Sequence, residues 1–185
     1  MIQPETYQSG PNGLIPNSRF LHHIYRGAVP SGGENEVRAL FQKNGWSNNW
    51  RYPGIYTYGH FHSTTHECLG CASGFMEIRV CGEIGTALRV EAVDVIVMPA
   101  GVSHAMTANS DDNLMVGGYV DGREWDNVPD ASLTPESRYS AVKLIMSLPI
   151  PTRDPVTGGP MDAWINLPSS VDTGWNDFRD GLDAA

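Results

Sequence analysis

Between Ile55 and Val120 the chain alternates short runs of Val, Ile, Thr and Tyr with breaks at Gly, Pro, Asn and Asp. The runs are Ile55–His62, Glu67–Ser73, Phe75–Val80, Thr86–Glu91, Asp94–Met98, His104–Asn109 and Leu114–Val120. Turn signals recur roughly every 8 to 12 residues, which is the pattern of an all-β sandwich or barrel. No helical periodicity separates these runs, so βαβ units are not expected.

The flanks read differently. Residues 1–20 carry turn-formers (Pro4, Gly10-Pro-Asn-Gly13, Pro16) and few apolar positions, and are expected to form an extended arm. Leu21 to Tyr25 reads as a first strand. Val37, Leu40 and Phe41 share a helical face, and Asn44-Gly45 is a stop signal, so a short helix is expected from Glu34 to about Lys43. Thr134 followed by Pro135 and Glu136 is an N-cap, a proline at the first helical position and an acidic first turn. That helix is expected to run to about Ser147. Pro149, Pro151 and Pro155 then impose an extended segment, and the acidic tail beyond Pro168 is ordered only if Trp164 or Trp175 pins it. The expected organisation is one domain over 1–185: a barrel core at about 50–122, the arm at 1–20 and a C-terminal extension at 130–185.

Composition narrows the function. The chain has 185 residues, 41% of them hydrophobic and 18% charged, enough for one globular core. Twelve Lys and Arg stand against 21 Asp and Glu, for a net charge of −9. Nucleic acids and anionic membranes need a positive patch, so both are disfavoured as partners. No apolar run approaches the roughly 18 residues of a membrane span. The start, Met1-Ile-Gln-Pro-Glu, lacks a signal-peptide pattern, and the expected compartment is the cytosol. Cys68 and Cys71 form a C-x-x-C, but in an expected strand rather than at a helix start. They read as small packing side chains on opposite faces, not as a redox pair.

The histidines carry the chemistry. Of the six, His60, His62 and His66 fall in one window and His104 in another. Alternate residues of a strand share a face, so His60 and His62 project together. Ser63-Thr64-Thr65 can turn the chain so that Glu67 faces the same interior. His66 has the opposite parity and becomes a ligand only if the turn is shorter. With His104 from a later strand, the set is three imidazoles and one carboxylate, a donor set suited to divalent Fe, Mn, Zn, Ni or Cu. Four such ligands leave positions open for reaction on an octahedral ion. Tyr56, Tyr58 and Cys71 share parity with the ligands and are candidates for the same cavity, with core packing as the ordinary alternative. Met106 is expected to form an apolar cavity wall. His22-His23 reads as a surface or subunit-contact pair. Arg51, Arg79 and Arg89 are ordinary solvated charges unless one binds an acidic substrate.

Taken with their glycines, the windows resemble the two motifs of the cupin superfamily. G-x5-H-x-H-x4-E-x6-G is met by Gly54, His60, His62, Glu67 and Gly74, and the P-x-G-x2-H of the second motif by Pro99, Gly101 and His104. Val93 stands where glycine is usual, and Asn109 falls one residue late, which puts the turn before Asp94 in question. The string His62-Ser-Thr-Thr-His66-Glu67 and the Leu148-Pro-x-Pro-x-x-Asp-Pro155 segment resemble, more narrowly, the YjlB-type cupins. The resemblance implies a jelly-roll (double-stranded β-helix) barrel. It also implies a divalent metal, Fe or Mn foremost and Zn or Ni as alternatives, on His60, His62, Glu67 and His104. It implies no single reaction, because one fold hosts many. Three readings stand: a metal-dependent oxidoreductase of dioxygenase type acting on a small organic molecule, a Lewis-acid isomerase or epimerase, and a non-catalytic metal-binding or structural cupin. The arm and the edge strands point to a homodimer.

Overall fold

A computed structural model describes residues 2–167. Eleven strands and three α-helices follow in chain order among these residues. They are β1 (Glu5–Ser9), β2 (Ser18–Tyr25), α1 (Glu34–Lys43), β3 (Trp46–Tyr52), β4 (His60–Phe61), β5 (Glu67–Ser73), β6 (Phe75–Val80), β7 (Thr86–Glu91), β8 (Val95–Met98), β9 (His104–Asn109), β10 (Leu114–Val120), β11 (Val128–Pro129), α2 (Pro135–Ser147) and α3 (Asp162–Ile165). A six-stranded sheet runs β1-β2-β8-β5-β10-β3 and a five-stranded one β11-β4-β9-β6-β7. The pairings are antiparallel, as a jelly roll requires.

The core has three parts. Between the sheets, Ile24, Leu69, Cys71, Met76, Ile78, Val90, Ile96, Met98 and Met115 form one apolar cluster drawn from both. On the outer face of the six-stranded sheet, α1 lays Val37 and Phe41 against Trp46, Cys68 and Val116, with Trp164 of α3 closing the layer. The helix comes close because Gly70 has no side chain: a Cβ there would meet Val37 Cγ1 at 2.4 Å. At one end, α2 packs Ala141, Val142 and Ile145 against Phe61 and Ala100. Its N-terminus carries the expected cap, with Thr134 accepting from the Ser137 N–H and the Ser137 side chain returning to the Thr134 N–H. Full burial of each large side chain contributes about 1.5–3 kcal/mol.

Several expectations need correction. The run Ile55–His62 is a strand only at His60–Phe61. Gly54 takes φ 107, and the chain beyond it crosses the rim of a cavity rather than joining a ladder. The arm contains a true strand: β1 pairs with β2 through Thr6↔His23 and Tyr7↔His22. A sequence with few apolar residues gave no sign of it, because backbone pairing and one aromatic contact hold it. The strand β3 was likewise hidden by two asparagines, one of which, Asn48, sits at φ 56. His22 and His23 are not a surface pair; each is 1% exposed. The sheet that carries them is covered on both faces. His22 lies beside Tyr7 and His23 beneath Trp164. Val93 holds φ 74, so the turn keeps a glycine-like conformation despite a β-branched residue.

Cys68 and Cys71 fall in different clusters, on opposite faces of β5, and burial raises both thiol pKa values, to about 12 for Cys71. The tail after residue 167, Trp175 included, lies outside the described residues. No helix among the described residues is long and apolar enough to cross a membrane.

Candidate metal centre

His60 opens β4, and His62 follows at its end, before the turn. His104 opens β9 and pairs directly with His60. Glu67 opens β5 in the other sheet, opposite Met98 and Tyr119. The side chains therefore meet between the sheets, from strand ends that the turn at Ser63–Thr65 and the turn at Pro99–Gly101 bring together. The second turn needs its glycine: Gly101 has φ 91, and a Cβ there would meet the Asn17 carbonyl oxygen at 2.2 Å. Gly101 N–H also donates to the His62 carbonyl at 2.8 Å, tying the two windows to each other.

The ring orientations are fixed from behind. Nδ1 of His60 lies 3.1 Å from the Tyr58 carbonyl and Nδ1 of His104 lies 2.9 Å from that of Val102. Nδ1 of His62 makes a short contact with the Asp126 carbonyl. A carbonyl only accepts, so each Nδ1 donates, and in the neutral ring each Nε2 keeps its lone pair. One ligand atom from each of the three rings can be chosen so that all lie within 4.8 Å of one another. Glu67 Oε2 stands 3.5 Å from His62 Nε2 and 3.4 Å from His104 Nε2, fully buried and without a hydrogen-bond partner. A buried carboxylate oxygen left open beside three imidazole lone pairs fits a divalent cation, because the ion supplies the charge that the burial otherwise leaves uncompensated.

Electrostatics agree. Burial opposes ionisation of Glu67, but the attraction of His62 and His104 outweighs it and holds the carboxyl well below the ordinary range. Burial disfavours charge on His62 as well, yet Glu67 and the Asp126 carbonyl raise its pKa. His60 moves the other way, to about 3, through burial and the neighbouring His104.

These groups form one wall of a cavity of about 920 Å³, within the range of small-molecule sites. Trp50, Ile55, Tyr56, Met106, Tyr119 and Trp125 form much of the remainder. Met106 is thus placed at the cavity wall. Tyr56 lines the cavity at its rim, 52% exposed and edge-on to His60, which corrects the core-packing alternative. Tyr58 is also no core residue; it is 43% exposed, stacks on Tyr56, and its hydroxyl accepts from Asn127. Cys71 faces the barrel interior away from this cavity, its thiol donating to the Ser73 carbonyl. His66 points to the outer face, where its Nδ1 accepts from the Ala100 N–H and its ring meets Trp164 edge-on. Arg51 rims the cavity but is bound to Glu34 at 2.6 Å, and Arg89 is bound to Glu91 at 2.8 Å.

Sequence reasoning missed Asp126, Trp125 and Tyr119. Asp126 accepts from the backbone N–H of Ser63 and Thr64 and from both their hydroxyls, and so braces the turn between His62 and Glu67. Parity could have found Tyr119 only if the pairing of β10 with β5 had been known.

No family model matches the chain. The uncharacterized protein YjlB of Bacillus subtilis (strain 168) is 34% identical over 157 residues, which cover 84% of this chain and 92% of that protein. Among solved structures, an acireductone dioxygenase from Bacillus anthracis with cadmium in its active centre aligns at 18% identity and a TM-score of 0.37. The alignment covers 49% of this chain and 60% of that one. RmlC from Streptococcus suis, in complex with dTDP-D-xylose, aligns at 14% identity and a TM-score of 0.37 over 67% of this chain and 72% of that one.

Proposed function

The chain belongs to the YjlB family, and from that premise we propose that it is a metal-dependent cupin enzyme acting on a small organic molecule by an oxidoreductase, dioxygenase-type reaction. The observation that carries the reading is the open Glu67 oxygen facing the His62 and His104 Nε2 atoms, on the wall of a cavity large enough for a substrate. His60, His62, Glu67 and His104 would hold the ion. When bound, the metal supplies Lewis acidity and, as iron or manganese, electron transfer.

The chain's own residues do the rest. Backbone carbonyls of Tyr58, Val102 and Asp126 hold the three rings in one tautomer, so no reorganisation is needed at the moment of reaction. Glu67 lowers the net charge of the centre. Trp50, Tyr56, Tyr119 and Trp125 offer ring faces that exclude water from one side of the substrate.

The test is elemental analysis of protein purified without chelators, followed by substrate screening under air and under nitrogen. Iron or manganese near one ion per chain, with turnover that stops under nitrogen, is the expected result. Equal turnover in both atmospheres would replace the oxygen chemistry with Lewis-acid isomerisation. A metal-loaded protein with no turnover would leave a binding protein. A homodimer is part of the same reading: among the described residues β7 ends its sheet with an unpaired edge and exposed Thr86, Ala87 and Arg89, and open edges invite pairing. A monomer by light scattering at micromolar concentration refutes that part.

A further inference from the structure

Tyr119 stands directly opposite Glu67 in the ladder between β5 and β10. Its ring is 1% exposed, stacks on Trp125 with centroids 4.6 Å apart, and meets His62 edge-on at 5.8 Å. Trp50 Nε1 donates to the Tyr119 hydroxyl at 2.8 Å. An indole N–H can only donate, so the phenol oxygen is the acceptor in that bond and the phenol proton is free to go elsewhere. Glu67 stands directly across the ladder on the same face of the sheet, so its carboxylate is the acceptor within this pair. Among the described residues Glu67 Oε2 has no hydrogen-bond partner and looks toward His62 and His104, so Oε1 is the oxygen open to a donor from across the ladder. A phenol titrates near 10 and is protonated at neutral pH, the donor form this arrangement needs.

We propose that Trp50 and Tyr119 form a hydrogen-bonded chain that positions Glu67, occupying one carboxylate oxygen so that the other alone is presented to the histidines. The inference rests on the metal-centre reading above. Tyr119 is a positioning residue: it acts through Glu67. A donor to a ligating carboxylate fixes which oxygen binds and in what direction, and loss of such partners typically lowers metal affinity about 10- to 100-fold. Trp50 contributes by fixing the rotor of the Tyr119 hydroxyl, a smaller effect because the phenol can still donate without it.

The test is Mn(II) binding by calorimetry, and the visible absorption of the Co(II) form, in wild type, Tyr119→Phe, Trp50→Phe and the double variant. The thermal midpoint of each metal-free protein is recorded alongside. Tyr119→Phe is expected to lose at least about 10-fold in Mn(II) affinity. It should also change the Co(II) band intensity, because a carboxylate free to use both oxygens alters the coordination number. Trp50→Phe is expected to lose less, and to add nothing on top of Tyr119→Phe. Should Tyr119→Phe prove too unstable to study, the Trp50→Phe protein, altered on an edge strand, still has to show a loss and a changed Co(II) spectrum. Wild-type affinity and spectrum in both single variants overturn the proposal and leave the metal centre standing. Absence of saturable Mn(II) and Co(II) binding by the wild type overturns the metal centre and the positioning role together.

Discussion

Acid should unfold the metal-free protein well before its carboxylates titrate, and His23→Phe should remove a defined part of that sensitivity. His23 is 1% exposed, lies between Tyr25 and Trp164, and finds no hydrogen-bond partner for either ring nitrogen. Burial lowers its pKa to about 4, against a weaker upward pull from Asp154. A histidine in the unfolded chain titrates near 6.5. The native state therefore keeps this ring neutral while the unfolded state takes up a proton. The stability contributed is complete above pH 6.5, falls as pH drops through the window from 6.5 to about 4, and is gone below it. Two and a half units correspond to about 3 kcal/mol in full, of which about 2 kcal/mol is lost by pH 5.

Other buried histidines titrate in the same range: His22 and His66 are also lowered to about 4, while His62 is raised and acts in the opposite sense. His66 and His62 contribute equally to wild type and variant; charge on His23 also lowers His22, so the difference reports His23 together with that coupling. Phenylalanine fills the same aromatic slot without the two unpaired nitrogens, so the variant is expected to fold. Urea unfolding of both metal-free proteins at pH 7.5, 6.5, 5.5 and 5.0 provides the numbers. The stability gap should move by about 2 kcal/mol in favour of His23→Phe between pH 7.5 and 5.0. A gap that stays constant with pH refutes the assignment of a buried neutral ring at this position.

Four further outcomes follow from the geometry. Gly101→Ala forces a Cβ to 2.2 Å from the Asn17 carbonyl oxygen at φ 91, and should cost about 3 kcal/mol or more, read as a fall of roughly 6–12 °C in thermal midpoint. Val93→Gly relieves a β-branched residue at φ 74 and should raise stability by about 1 kcal/mol in urea titrations; destabilisation would mean its side-chain packing outweighs the strain. An imidazole binds an ion only in its neutral form, and the Glu67 carboxylate raises the pKa of His62, so protons compete with the ion: affinity should fall as pH drops, and calorimetry at acid pH in two buffers of different ionisation enthalpy should detect proton release. Asp126→Ala removes the brace on the Ser63–Thr64 turn and should weaken Mn(II) binding by about 10-fold or more while leaving the sheets intact by circular dichroism.

The barrel strands β5 to β10 were legible because each alternates or runs apolar between clear turn signals. The helix α1 was legible from its apolar spacing and stop signal and α2 from its cap and proline; α3, four residues long, gave no such signal. The meeting of the two histidine windows was legible for a local reason: His60 and His62 are two apart, and glycines mark the turns that return the chain. What stayed hidden depends on contacts distant in sequence. The strand β1 is polar and exists through pairing with β2, and Asn48 at φ 56 disguises β3. Tyr56 and Tyr58 were assigned by counting parity along a run that is strand only at His60–Phe61. His22 and His23 looked polar, yet a sheet covered on both faces buries both. Asp126 and Tyr119 reach the site across 64 and 69 residues, to His62 and Trp50 respectively, and no local pattern announces such a meeting. Val93 shows the reverse case: the sequence departs from the motif, and the backbone does not.

The segment 121–127 has one further consequence. Its Trp125 forms part of the cavity wall, and the very next residue, Asp126, holds the ring of His62 and the turn beyond it. A guest pressing on the indole therefore leans on the same short stretch that aims a ligand. Occupancy of the chamber and the grip on an ion held by His62 would then be thermodynamically linked, each changing the other's affinity by the same factor.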